Sequence, residues 1–239
     1  MRRDALTQFG RRVQEWLLPL RCLLCGAAGA DGIDLCGDCA AELPRNAACC
    51  ARCALPLAVA AMLCGQCQRR PPVWDAAWSP FRYAWPLDRL ESRYKFGRDL
   101  AAGKVLATLW LAEPRAIDLP DLILPVPLHR GRLRQRGYNQ ALELARPLAT
   151  ALGVPVQHDF LQRLRATPAQ TELDAIDRRR NVSGAFGLRA GISLPAHVAI
   201  VDDVMTTGAT LAECARTLRR AGVKRVDVWA LARAPSPRG

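Results

Sequence analysis

Read for the spacing of apolar and polar positions, the chain divides into a cysteine-rich first part and a longer stretch of strand and helix patterns. Three largely apolar runs, rich in branched side chains, read as buried parallel strands: Asp121 to Val126, Val198 to Val201 and Val226 to Leu231. Helical spacing follows two of them. Leu142, Ala145, Leu148 and Leu152 recur behind Asn139, a good capping residue, and Leu211, Ala215 and Leu218 recur ahead of Gly222. Pro86 through Leu111 reads as two helical pieces broken near Gly97. Pro147 lacks an amide donor, so a kink or local break is expected near residues 143 to 147. Strands alternating with helices predict an α/β domain with a parallel sheet flanked by helices.

Ahead of that pattern, Leu6, Phe9, Val13, Trp16 and Leu17 fall near one face of an amphipathic helix over residues 1–19. A cysteine module follows over 20–70, closed by Pro71 and Pro72, and residues 71–239 form the α/β part. Val73 to Tyr83 reads as a strand or extended connection. Its Trp74, Trp78, Phe81 and Tyr83 are expected to cover the junction between module and core, base stacking being the alternative.

Composition narrows the class. The 239 residues, half of them apolar, suffice for one α/β domain and a small module. No run of eighteen apolar residues suggests a membrane span. The N-terminus carries Asp4 and Glu15 and lacks a long apolar core, so it does not read as a signal peptide, and a cytoplasmic setting is expected. The net charge is +12, with Lys95, Lys104 and Lys224 the only lysines. Such an arginine-rich balance suits contact with phosphates or nucleic acid, and equally a compositional bias.

Ten cysteines need an explanation, and their spacing supplies one. Cys22-x2-Cys25 precedes Cys36-x2-Cys39, and Cys50-x2-Cys53 precedes Cys64-x2-Cys67. Four thiolates so spaced can surround one Zn2+, giving two structural sites. Gly26, Gly37 and Gly65 sit where tight turns beside the knuckles favour glycine. Both consecutive pairing and cross-bracing fit the spacing, and Cys49 either replaces Cys50 as ligand or stands beside it. Cys214 reads as a small core residue and His197 as structural or exposed.

The densest chemistry lies at the end of the Val198–Val201 run. Asp202 and Asp203 are followed by Thr206, Thr207, Gly208 and Thr210 and then by a helix start, whose free amides favour a phosphate. Neither the Gly-Lys-Ser/Thr ending of a nucleotide-hydrolase loop nor a dinucleotide-binding glycine fingerprint occurs. A second basic stretch, Arg130, Arg132, Arg134 and Arg136, falls between a strand end and a helix start, where guanidinium forks suit a pyrophosphate. His129 there reads as a loop or solvent-facing residue. Lys95 stands in Tyr94-Lys95-Phe96-Gly97-Arg98, either as a phosphate contact or as a surface lysine.

The acidic pair running into Thr-Thr-Gly resembles the phosphoribosyl pyrophosphate motif of type I phosphoribosyltransferases. Over about residues 20 to 232 the chain resembles the ComF family, which includes ComFC competence proteins and GntX-like proteins. The likeness rests on the paired knuckles, YKFGR, VPLHRGRLRQRGYNQA, the Gln170 to Asn181 segment and VAIVDDVMTTGAT, in that order. It implies a type I phosphoribosyltransferase-like sheet behind a zinc module. Asp202 and Asp203 would contact the ribose hydroxyls, with Mg2+ bridging ribose and pyrophosphate. Thr206, Thr207, Gly208, Ala209 and Thr210 would cradle the 5-phosphate, Arg134 and Arg136 would meet the pyrophosphate, and Lys95 would add a further contact. Residues 163 to 182 resemble a flexible loop over the site. The implied activity is transfer of phosphoribose to a nitrogenous acceptor with release of pyrophosphate. The alternative is a non-catalytic factor that binds single-stranded DNA or senses the ligand. Family members are associated with competence and with incoming single-stranded DNA in the cytoplasm, which makes that DNA and competence-machinery proteins the expected partners.

Overall fold

A computed structural model describes residues 19–114, 118–165 and 182–235. The amphipathic reading of 1–19 and the loop reading of 163–182 fall almost wholly outside them.

The sheet is built around two nine-residue strands, β6 (His197–Met205) and β7 (Arg225–Arg233), paired in parallel from His197 opposite Arg225 to Met205 opposite Arg233. β3 (Leu122–Pro125) lies parallel on the far side of β6. The other edge is a strand in two pieces, β1 (Ala76–Trp78) and β2 (Phe81–Arg82), both parallel to β7. Pro80 sits between the pieces, and an edge is where a residue without an amide donor is tolerated. Both faces of the sheet are covered, which is why its strands read as near-continuous apolar runs. Val198 and Ile200 of β6 belong to one core cluster, Ala199 and Val201 to the other.

Three helices cover one face: α3 (Leu87–Phe96), α4 (Leu100–Ala112) and α6 (Gln140–Leu152). The break near Gly97 is present, and Asp99 caps α4 by accepting from the Ala102 amide at 3.1 Å. Asn139 caps α6 through the Ala141 amide, also at 3.1 Å. The expected break at Pro147 does not occur, since α6 runs through it to Leu152. An interior proline costs a helix roughly 3 kcal/mol. Burial of Leu144 and Leu148 in the core returns about 1.5–3 kcal/mol each, enough to carry the helix across. The second face takes α7 (Ala209–Arg220), whose buried Cys214 fills core space, and an antiparallel pair, β4 (Leu161–Arg163) and β5 (Phe186–Leu188).

The cysteine module wraps the broken edge of the sheet. Its first half, with Ile33, Leu35 and Leu43, packs into the α3–α4 core, and its second half joins the α7 core. The crossing point is the interruption between β1 and β2. There the Asn46 amide donates to the Pro80 carbonyl at 2.6 Å, its side chain donates to Ala54 and Ser79 carbonyls, and the Arg82 amide donates to Pro44. Trp74, Trp78 and Phe81 are buried along this junction, in the packing role expected of them, whereas Tyr83 is 37% exposed.

Candidate functional site

A cavity of about 630 Å³ opens where β6 meets α3, α5 (Arg130–Arg136) and the loop before α7. That is the carboxyl end of the parallel strands, where open α/β sheets place their ligands. β6 stays paired with β7 through Met205, so Asp202 and Asp203 lie within the strand, and both line the cavity.

The acidic pair is held by its own backbone and by one ammonium. Asp202 Oδ1 accepts from the Asp203 amide at 2.9 Å and Asp203 Oδ1 from the Val204 amide at 2.7 Å. Lys95 Nζ stands 2.7 Å from Asp203 Oδ2. Burial works against ionising Asp203, yet Lys95 holds it below the usual carboxylate range. Burial, then the charge of Asp203, push Asp202 up to about 8. A third carboxylate lies behind them. Glu91, four residues before Lys95 on α3 and 1% exposed, is pushed up to about 8 by burial and then by Asp203, and its Oε1 finds no hydrogen-bond partner among the described residues. Lys95 is aimed inward because its neighbour is pinned: Tyr94 donates to the Gln140 carbonyl at 3.1 Å, and Tyr138 donates to the Tyr94 carbonyl.

The loop after β6 turns directly into α7. Gly208 adopts φ +73°, and a Cβ there would stand 2.8 Å from the Trp74 ring, so only glycine fits. Thr207 Oγ1 accepts from the Ala209 amide at 3.3 Å. Thr206 and Thr210 line the cavity, and Thr207, Gly208 and Ala209 build the turn that presents them beside the α7 amides.

The opposite wall is basic. The arginine stretch, between the strand end and the start of α6, itself forms a short helix. His129 caps it by accepting from the Gly131 amide at 3.2 Å, and Gly137 closes it with φ +88°. Residues four apart share a helix face, so Arg132 and Arg136 line the cavity while Arg134 points to solvent and lies outside the lining. Arg136 donates to Gln140 Oε1 at 3.0 Å and covers the Phe96 ring at 5.6 Å. Burial and the nearby Arg136 both lower Arg132, a crowding of like charge that an anion relieves.

The eight paired cysteines form two separate sets, each with its sulfurs within 4.8 Å of one another: Cys22, Cys25, Cys36 and Cys39, then Cys50, Cys53, Cys64 and Cys67. Consecutive knuckles therefore pair, and Cys49 stands outside, half-buried. Sulfur separations of 3.6 Å for Cys25–Cys36, 3.7 Å for Cys53–Cys64 and 3.9 Å for Cys50–Cys67 match the edge, about 3.8 Å, of a tetrahedron with Zn–S near 2.3 Å. Both sets are suited to structural zinc. Gly37 and Gly65 open the short helices α1 (Gly37–Ala41) and α2 (Gly65–Arg69), where no left-handed backbone is needed, and of the three glycines beside the knuckles only Gly26, at φ +79°, makes the expected turn.

Family models match the same two regions: a double zinc ribbon domain over residues 13–68 and a phosphoribosyl transferase domain over 139–239. The chain is 38% identical over 205 residues to the DNA utilization protein YhgH of Salmonella typhimurium, covering 83% of this chain and 90% of that one. It belongs to the ComF/YhgH-like family. Competence protein F of Haemophilus influenzae is likewise 38% identical over 208 residues, 84% of this chain and 90% of its own. Competence protein ComFC of Streptococcus pneumoniae is 28% identical over 155 residues, 64% and 66% of the two chains. Among the described residues of this ComF chain, no helix is long and apolar enough to cross a membrane.

Of the residues singled out in the sequence, this ComF chain brings Lys95, Arg136, Asp202, Asp203, Thr206 and Thr210 to one cavity. His197 lies apart, its Nε2 2.8 Å from Asp227 Oδ2, in a structural pair. Sequence reasoning missed Glu91 and Arg163, and it placed Arg132 in the basic stretch without choosing it over Arg134; Arg132 and Arg163 both line the cavity. Glu91 and Lys95 share the four-residue spacing of a helix face, and Gly137 was a legible helix stop that would have separated Arg132 from Arg134. Arg163 offered no signal, because its approach depends on the β4–β5 pair.

Proposed function

We propose that this cavity binds phosphoribosyl pyrophosphate and that the chain transfers phosphoribose to a nitrogenous acceptor, releasing pyrophosphate. The observation that carries this reading is the meeting of three binding elements in one cleft: two carboxylates at a strand end, a threonine loop at a helix start, and an arginine wall facing both. Asp202 and Asp203 are the acceptors for ribose hydroxyls, Thr206 and Thr210 with the α7 amides hold the 5-phosphate, and Lys95, Arg132 and Arg136 receive the pyrophosphate. Arg134 contributes at most to the long-range positive field. Mg2+ fits here as a hard ion taken by a carboxylate and substrate oxygens, because Asp202 offers a carboxylate to the cavity that no ammonium of the described residues occupies; when bound it would neutralise charge on the pyrophosphate. The acceptor nitrogen attacks C1 of the ribose as the C1–O bond to pyrophosphate breaks. The protein contributes orientation, neutralisation of the leaving group, and two carboxylates beneath a sugar that becomes positive.

Calorimetry with phosphoribosyl pyrophosphate and Mg2+ tests the site. Asp202→Asn/Asp203→Asn is expected to weaken binding by about a hundredfold or more, since each charged hydrogen bond is worth roughly 1.5–3 kcal/mol. Equal affinity of the double variant and wild type removes the proposed role of the pair. Binding without pyrophosphate release across a broad acceptor panel removes the enzymatic half.

A second reading, a DNA-binding or ligand-sensing factor, is favoured by one feature. Phe96, 66% exposed at the cavity rim beneath Arg136, joins Tyr83 to make an aromatic and cationic lip of the kind on which unpaired bases stack. The names of the relatives, DNA utilization and competence, point the same way. Salt-sensitive binding of a single-stranded oligonucleotide that Phe96→Ala weakens supports it, and the two readings are compatible.

A further inference from the structure

The loop between β6 and α7 rests on the second cysteine set through two side chains from distant parts of the chain. Arg233, the last residue of β7 and 6% exposed, donates from Nε to the Cys53 carbonyl at 3.1 Å and from Nη1 to the carbonyls of Met205 at 3.1 Å and Thr206 at 2.5 Å. Trp74, 5% exposed, donates from its indole nitrogen to the Arg52 carbonyl at 2.7 Å and lays its ring against Gly208. Arg52 and Cys53 are adjacent residues of the Cys50–Cys53 knuckle. Both supports of the loop are therefore fixed to a single metal-binding turn.

The charges agree with this arrangement. The hydrogen bonds of Arg233 end on main-chain carbonyls, and burying a cation with only neutral partners is costly. Zn2+ held by the four thiolates of this set would carry a formal charge of two minus, and would supply an anion on the far side of the Cys53 carbonyl from the buried guanidinium. The first cysteine set connects elsewhere: Arg93 donates to the Leu23 carbonyl at 3.0 Å and Lys104 to the Gly32 carbonyl at 3.2 Å, which ties it to α3 and α4.

We propose that zinc in the second cysteine set positions the phosphate-binding loop, with Arg233 and Trp74 as the positioning residues that carry the coupling. Ligand binding at the loop and zinc retention in that set are then linked, each strengthening the other by the same factor. The identity of the ligand rests on the phosphoribosyl pyrophosphate reading, whereas the ordering of the loop does not.

Hydrogen exchange of the segment 203–212 in the zinc-loaded full chain, without ligand, tests the coupling directly. Arg233→Met is expected to speed exchange there by about tenfold, the equivalent of one charged hydrogen bond. Arg233→Lys recovers part of the protection. Trp74→Phe, which keeps a ring but loses the donor, gives a smaller rise. Arg45→Met, which removes the 2.9 Å contact to Glu113 on the other side of the module, leaves the segment unchanged. Unchanged exchange in both Arg233→Met and Trp74→Phe with zinc retained overturns the proposal. Should Arg233→Met fail to fold, zinc release from wild type to a chromophoric chelator decides: phosphoribosyl pyrophosphate slows the loss of one ion by about tenfold and leaves the other alone. Equal protection of both ions, or protection of neither although calorimetry registers binding, overturns it as well. Absence of binding by wild type, with the exchange response intact, sinks the ligand reading and leaves the coupling standing.

Discussion

The two walls of the cavity differ in depth, rigidity and proton affinity. The acidic wall is part of the central strand: Asp203 is 7% exposed, its carboxylate tied to the Val204 amide and to Lys95, and Glu91 behind it is buried outright. The basic wall is a seven-residue helix, half-exposed, with Arg136 leaning on an exposed phenylalanine. A buried wall fixes geometry, because its groups cannot move without losing partners. A half-exposed wall supplies charge that salt can screen. Under the proposed function, the difference would leave recognition of the sugar to the strand and capture of the polyanion to the helix.

The comparison breaks most easily at its two strongest points. Asp203→Asn is expected to lower affinity for phosphoribosyl pyrophosphate by about a hundredfold and to leave its salt dependence as steep as in wild type. Arg132→Met is expected to cost about tenfold and to flatten that dependence. Titrations at two ionic strengths read both. If the salt slope follows the aspartate and not the arginine, the division of labour between the walls is wrong.

The same contrast explains what the sequence revealed. The acidic wall was legible because its position depends on local pattern: an apolar run, two carboxylates, a threonine-glycine turn and a helix start are contiguous in the chain. The cysteine sets were legible for the same reason, since ligand spacing is itself local. The basic wall was half legible. Its arginines stood out, but their alternate spacing in the chain left Arg134 and Arg132 unsorted, and only the helix from Arg130 to Arg136 separates them. Arg163 and Arg233 were unreadable because contacts across the fold, made by tertiary packing, bring them to the site or to its supporting loop, whereas Glu91 carried a local signal, the helix face it shares with Lys95. Pro147 is the opposite case, a correct local rule overridden by the burial of Leu144 and Leu148.

Proton affinity offers a finer test of the buried wall. In the free protein Asp202 keeps its proton up to about pH 8, because burial and then Asp203 disfavour another negative charge. A ribose hydroxyl donates best to an ionised carboxylate. Affinity should therefore rise as the pH is raised from 6 through 8 and level off above, by about tenfold for each unit by which binding lowers the Asp202 value. Asp202→Asn should abolish the rise. A wild-type affinity that is flat across this range, or that falls, would place the sugar away from Asp202.

Glu91 gives the smallest and cleanest effect, since it lies behind the acidic wall and not in the cavity lining. Its proton is held in the folded chain up to about pH 8, against an ordinary value near 4.5, with burial the first cause and Asp203 the second. Between those values the native state binds more protons than the unfolded chain, so Glu91 makes stability decline as pH rises from about 4.5 toward 8. Glu91→Gln keeps the shape and removes the titration. Asp202 contributes a decline of the same sign, but it is present in both proteins and cancels in the difference. The melting temperature of the variant should thus fall less than that of wild type between pH 5 and 8, by about 3 °C for each kcal/mol of burial penalty removed in a chain of this size. Parallel curves would mean that Glu91 is ionised in the folded protein, paired with Lys95, and that the buried wall carries a second negative charge beside that of Asp203.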